Sequence, residues 1–99
     1  MSFDDLIRRQ LDLFEEECAD LIAECDAAER AYDAADRDEA EEKYGDYLDL
    51  VETGTDHLAD LRDGFASTME DDAAETYEAE FNRAVQARLP RFALGIENA

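Results

Sequence analysis

Apolar and small residues recur along the chain at alternating intervals of four and three. Ile7, Leu11, Phe14, Cys18, Leu21, Cys25, Ala28, Tyr32 and Ala35 make the first run. Ala40, Tyr44, Tyr47, Val51, Gly54, Leu58, Leu61, Phe65 and Thr68 make the second, and carboxylates crowd the positions between. Heptads of this kind predict two long amphipathic helices, over about 3–35 and about 38–66, packed in coiled-coil fashion. The break falls near Asp36-Arg37-Asp38. Asp36 or Asp38 suits the N-cap of the second helix, and Glu39, Glu41 and Glu42 suit the positive end of its dipole. So short a connection makes the two helices antiparallel neighbours. Folding there sets Leu11 level with Phe65, Phe14 with Leu61 and Cys18 with Leu58. Leu21 then meets Gly54, where the missing side chain leaves room for a close approach, and Tyr32 lies near Tyr44 at the tip.

Gly64 is the expected bend near the end of the second helix, with Ser67 or Thr68 capping the next one. A third helix over about 70–88 carries the stripe Ala74, Tyr77, Phe81, Ala84 or Val85, and Leu89, and Pro90 stops it. Phe3, Leu6 and Leu13 form a second stripe on the first helix, which the third is expected to cover. Beyond Pro90, Phe92, Leu94 and Ile96 alternate with Ala93 and Gly95, a period of two that predicts an extended tail over 90–99. We expect this strip to dock along a groove, with Arg88 and Arg91 meeting carboxylates at its edge; the alternative is a free tail that engages a separate partner. The fold class is all-α, a long antiparallel hairpin plus a shorter third helix, in one domain over 1–99, thick at one end and thin at the tip.

Composition tests this picture. Leu, Ile, Val and Phe contribute 20 of 99 residues, close to the ~20% below which a highly charged chain is disordered; the sustained periodicity decides for helices. No apolar run approaches the ~18 residues of a membrane span, and the acidic start Met1-Ser2-Phe3-Asp4-Asp5 is no signal peptide. The expected location is therefore the cytoplasm. With 29 Asp+Glu against 9 Lys+Arg the net charge is −20, and Lys43 is the only lysine. Such a surface resembles proteins of salt-in halophiles, haloarchaea above all, and on composition and shape the chain resembles their small helical proteins. At molar salt the Debye length is ~3 Å, so self-repulsion largely vanishes.

The run Ala34-Ala35-Asp36-Arg37-Asp38-Glu39-Ala40-Glu41-Glu42-Lys43-Tyr44 resembles the turn of helical hairpins in tetratricopeptide and MIT (microtubule-interacting and transport) domains. That resemblance implies binding of a peptide or helix in a groove.

Candidate chemistry is sparse. His57, the only histidine, has Asp56 and Asp60 nearby, but the Glu-x-x-His of di-iron bundles needs a glutamate where Gly54 stands. Cys18 and Cys25 are seam positions ~10.5 Å apart along one helix, too far for a disulfide within one chain, so they read as buried small hydrophobes; a bridge across a symmetric dimer is the alternative. No metal site or cofactor is expected. Among so many carboxylates a catalytic pair has no signature. Arg83, Arg88 and Arg91 against Glu97 make residues 82–99 locally basic, and neutralising the acidic helices is favoured over gripping phosphate, so nucleic acid is an unlikely partner. Tyr32, Tyr44, Tyr47 and Tyr77 fall at helical spacing as core or rim anchors.

The expected function is that of a non-catalytic interaction or assembly module, a homodimer, with Ile22, Leu48 and Leu50 as the apolar edge between copies. Arg88, Arg91, Phe92, Leu94 and Ile96 are the candidate partner-binding residues. The alternatives are a ferritin-like carboxylate metal-binding protein and a nucleic-acid-associated accessory protein.

Overall fold

The computed structural model describes residues 2–99, and every regular element in them is helical. Helix α1 spans Asp4–Glu17, α2 Ala19–Asp33, α3 Arg37–Ala66 and α4 Asp71–Arg88; a 3-10 turn, Pro90–Phe92, leads into α5, Ala93–Asn98. The body measures 51 × 24 × 19 Å.

The long first helix expected over about 3–35 is divided at Cys18, whose φ of −105° and ψ of 23° leave the helical range. Hydrogen bonding continues through the bend, from the Cys18 N–H to the Phe14 carbonyl at 2.8 Å and from the Ile22 N–H to the Cys18 carbonyl at 2.9 Å. The bend lets α1 meet α4 while α2 follows α3. It falls where Phe92 enters between α1 and α3, edge-on to the Phe14 ring with centroids 5.6 Å apart.

Asp36 is extended, and its carbonyl accepts from the N–H groups of Glu39 and Ala40 at 3.0 and 2.9 Å, opening α3. The helix then runs through Gly64 without the expected bend. Nor do Ser67 and Thr68 cap α4. Their hydroxyls donate back to the Gly64 and Phe65 carbonyls at 2.7 Å, occupying acceptors that the end of α3 leaves without helical partners. Glu70 stands at the N-cap of α4 instead, with Asp71 and Asp72 in its first turn.

The core gathers Ile7, Leu11 and Phe14 of α1, Leu58, Ala59 and Ala66 of α3, Tyr77, Phe81 and Val85 of α4, and Phe92 and Ile96 from the C-terminal segment. Each large side chain buried this way is worth roughly 1.5–3 kcal/mol. On α3 the buried positions are Gly54, Thr55, Leu58, Ala59, Arg62 and Ala66, whereas Phe65 is exposed. The buried stripe is thus rotated from the expected Gly54-Leu58-Leu61-Phe65 seam, because α3 serves α4 and α5 as well as α1 and α2. Phe3 packs edge-on to Tyr77, centroids 5.5 Å apart. Of the rest of the expected second stripe, Leu6 is half-buried against the core. Helix α4 lies over Ile7 and Leu11, leaving Leu13 on the far side, 44% exposed. From Asp26 to Thr53 no residue is buried.

Candidate functional site

Residues 88–99 carry all five candidate partner-binding side chains, and the course of the chain beyond Leu89 differs from the expected extended strip. Leu89, at φ −130° and ψ 60°, ends α4. Proline's fixed φ suits the first position of a helical turn, and the chain turns again at once, the Phe92 N–H donating to the Leu89 carbonyl at 3.0 Å. In helical geometry residues four apart share a face. Phe92 and Ile96 therefore both point inward and are buried, while Leu94 points out and is 75% exposed.

Two glycines let this segment approach α3. A Cβ on Gly54 would lie 2.5 Å from Cε1 of Phe92, so the room expected for Leu21 is filled by the Phe92 ring. A Cβ on Gly95 would lie 2.8 Å from Cγ2 of Thr55. Next to this contact sits Arg62, 4% exposed. Its Nη1 donates to Asn82 Oδ1 at 2.9 Å and to the Ile96 carbonyl at 2.8 Å, Nη2 to the Ala99 backbone oxygen at 3.1 Å, and Nε to Asp63 Oδ1 at 2.8 Å. A guanidinium holds a rigid fork of donors, and here the fork ties α3, α4 and the carboxyl end of α5 together, where a cation also suits the helix dipole.

The expected arginines are engaged as well. Arg88 donates to Glu15 Oε1 at 2.6 Å and Asp12 Oδ1 at 2.5 Å, and these bonds hold its pKa above the ordinary arginine value. Arg91 pairs with Asp26 at 2.9 Å and Glu29 at 3.6 Å, and donates to the Tyr47 hydroxyl at 3.1 Å. Burial works against its charge, but the bonds to Asp26 and Tyr47 prevail and its pKa stands above the ordinary value. Arg88, Arg91, Phe92 and Ile96 thus have partners inside the chain, and Leu94 is left facing solvent.

Leu94 borders a groove of about 550 Å³ between α3 and α5, with Leu48, Val51, Glu52, Thr55 and Asp56 among its walls. Leu48 is 43% exposed there. Of the other two residues expected at a dimer edge, Ile22 lies in a separate groove with Pro90 and Phe92, and both Ile22 and Leu50 are half-buried against the core.

His57 lines a third groove, between α1 and α3, with Asp60, Glu17 and Cys18. Among the described residues no group of three or more His, Cys, Asp or Glu side chains is placed to hold a metal ion. Cys18 and Cys25 are free and buried, and burial pushes both thiols up in pKa. Tyr77 is buried and donates to Gln10 Oε1 at 2.6 Å, while Tyr32 and Tyr44 pair at 5.2 Å between centroids near the connection. Arg62 and Gln10 escaped the sequence reading. The available signal was the stripe Thr55-Ala59-Ala66, whose small residues mark a second close approach to α3 on the face that holds Arg62.

No helix among the described residues is long and apolar enough to cross a membrane. No protein-family model matches the chain, and no curated protein or solved structure matches it.

Proposed function

We propose that this chain is a non-catalytic helical interaction module of the cytoplasm, adapted to high salt, whose α2–α3 pair acts as a coiled-coil-like antiparallel hairpin and whose partner docks at the α3–α5 groove. One observation carries the reading: Leu94 is 75% exposed beside Leu48 in an apolar groove, on a segment otherwise pinned by Phe92, Ile96 and Arg62. A rigidly held leucine over a preformed groove is an anchor that loses little ordering entropy on binding. The charge of −20 supports the salt adaptation, since at molar salt charged surfaces are screened and apolar contact dominates association.

The test is co-purification from the source cell in molar KCl, with wild type beside Leu94→Asp. A partner retained by wild type and lost with Leu94→Asp supports the reading. The same proteins bound by both, or by neither, reject the groove as the docking site. Leu94→Asp is expected to leave the melting temperature within about 2–4 °C of wild type, because substitutions at exposed positions change stability by less than ~0.5 kcal/mol.

A further inference from the structure

The face of α1 turned away from α4 has an order of its own. Leu13 is exposed at its centre and forms one wall of the groove between α1 and α3, of about 240 Å³, with Phe14, Glu17, Cys18, His57 and Leu61 among its other lining residues. Phe65, one turn beyond Leu61 on α3, is exposed too. Arg9 stands one turn before Leu13 and Glu17 one turn after, and neither takes part in an ion pair among the described residues.

The pattern Arg9–Leu13–Glu17, with four residues on either side of the leucine, is complementary to itself when reversed. Turning a second copy by half a revolution about an axis that passes between Leu13 and this groove sets each Arg9 opposite the other copy's Glu17. It also presents each Leu13 to the other copy's groove, which is large enough for a leucine side chain. An isologous two-fold contact needs this property of a surface. We propose that a second copy of this chain docks here, antiparallel across α1, with Leu13 as the apolar knob and two Arg9–Glu17 pairs setting the register. The face differs from the edge of Ile22, Leu48 and Leu50 that the sequence suggests, and from the α3–α5 groove. The proposal deepens the interaction-module reading by naming one partner, and it fails separately, because Leu94 takes no part in it. Repulsion between two chains of −20 opposes the contact in dilute buffer, so the dimer belongs to molar salt.

Light scattering in molar KCl at about 100 μM, a concentration that populates dimers of ordinary micromolar affinity, should give twice the 11.2 kDa chain mass. Leu13→Asp should give the single-chain mass with helical circular dichroism unchanged, since Leu13 is half-exposed within one chain. Arg9→Glu should weaken the dimer about two- to threefold at this salt, where facing carboxylates are largely screened, and Arg9→Glu combined with Glu17→Arg should restore it. A wild-type chain that stays monomeric overturns the proposal. So does a dimer that survives Leu13→Asp, or one that Arg9→Glu weakens and the double exchange leaves weak.

Discussion

Along residues 26–53 the end of α2 and the first half of α3 lie against each other with no buried side chain, whereas the second half of α3 is enclosed by α1, α4 and the C-terminal segment. The first region carries 11 acidic against three basic residues, and the tilted rings of Tyr32 and Tyr44 are its one contact between aromatic rings. The second holds the buried aromatics Phe14, Tyr77, Phe81 and Phe92 together with the four-bonded guanidinium of Arg62. Both regions are helical with similar spacing, so helical periodicity sets neither stability nor rigidity. What separates them is the number of faces that find a partner: in proteins most helical stability comes from packing rather than propensity.

Salt should open the widest gap between the two regions. In dilute buffer the tip has repulsion and little burial, so its amide protons in residues 26–53 should exchange with little protection while Leu58, Phe81 and Ile96 keep theirs. Adding molar KCl should restore protection at the tip and raise helical circular dichroism substantially. Equal protection of both regions in dilute buffer, with an equally heat-stable helical signal, would remove the distinction.

Phe92→Ala attacks the enclosed region alone. Removing a buried phenylalanine costs about 3–5 kcal/mol, and α5 with its glycine contact to Thr55 should loosen at the same time. Ending the chain at Leu89 should go further, because Arg62 then loses two of its acceptors, and should lower the melting temperature in molar salt by more than about 12 °C. Exchange in residues 30–46, beyond the bonds of Arg91 to Asp26, Glu29 and Tyr47, should respond to neither change. A melting curve unmoved by either would mean that the segment is not held by the α3 surface.

Much of this division was hidden in the sequence for identifiable reasons. The helical class was legible because seam residues recur at three and four through a dense field of carboxylates. The phase of the α3 seam was not, since a single pattern cannot show that a helix faces two sets of partners; Thr55, Ala59 and Ala66 are small enough to pass for surface residues. Phe92, Leu94 and Ile96 suggested a strand because three alternating apolar residues fit a period of two. Proline's preset φ and the four-residue step from Phe92 to Ile96 fit a helical turn equally well, and burial chose it. Arg62 gave no signal because a buried arginine is recognisable only by its acceptors, and two of these are backbone oxygens of residues 96 and 99.

One substitution made in both regions sharpens the contrast. Nothing lies within 4 Å of a Cβ placed on Gly45 at the tip, so Gly45→Ala should stabilise by ~0.5–1 kcal/mol through helix propensity alone. Gly54→Ala brings the same propensity gain, yet its Cβ meets a Phe92 ring that Phe14 holds from the other side. Overpacking of this kind costs about 1–3 kcal/mol, so the net change should be destabilising. Chemical denaturation at molar salt measures both, and a Gly54→Ala chain as stabilised as Gly45→Ala would show that the ring has room to move.

Alkali should act on the enclosed region through the groups it buries. Burial raises the pKa of the Tyr77 phenol and of the Cys18 and Cys25 thiols above their ordinary values. For each, the folded chain keeps its proton at a pH where the unfolded chain has released it. Stability is therefore full below the unfolded values, near 8.5 for a thiol and 10 for a phenol, and falls as pH rises beyond them. Thermal melts at molar salt should be level from about pH 6 to 8, decline gently above the thiol value and more steeply above the phenol value. Tyr77→Phe separates the contributions. It leaves Gln10 Oε1 without its donor, whose loss costs about 1–3 kcal/mol at neutral pH, but it removes the phenol, so the decline above pH 10 should become shallower. An unaltered slope above pH 10 in Tyr77→Phe would assign that loss to groups other than Tyr77.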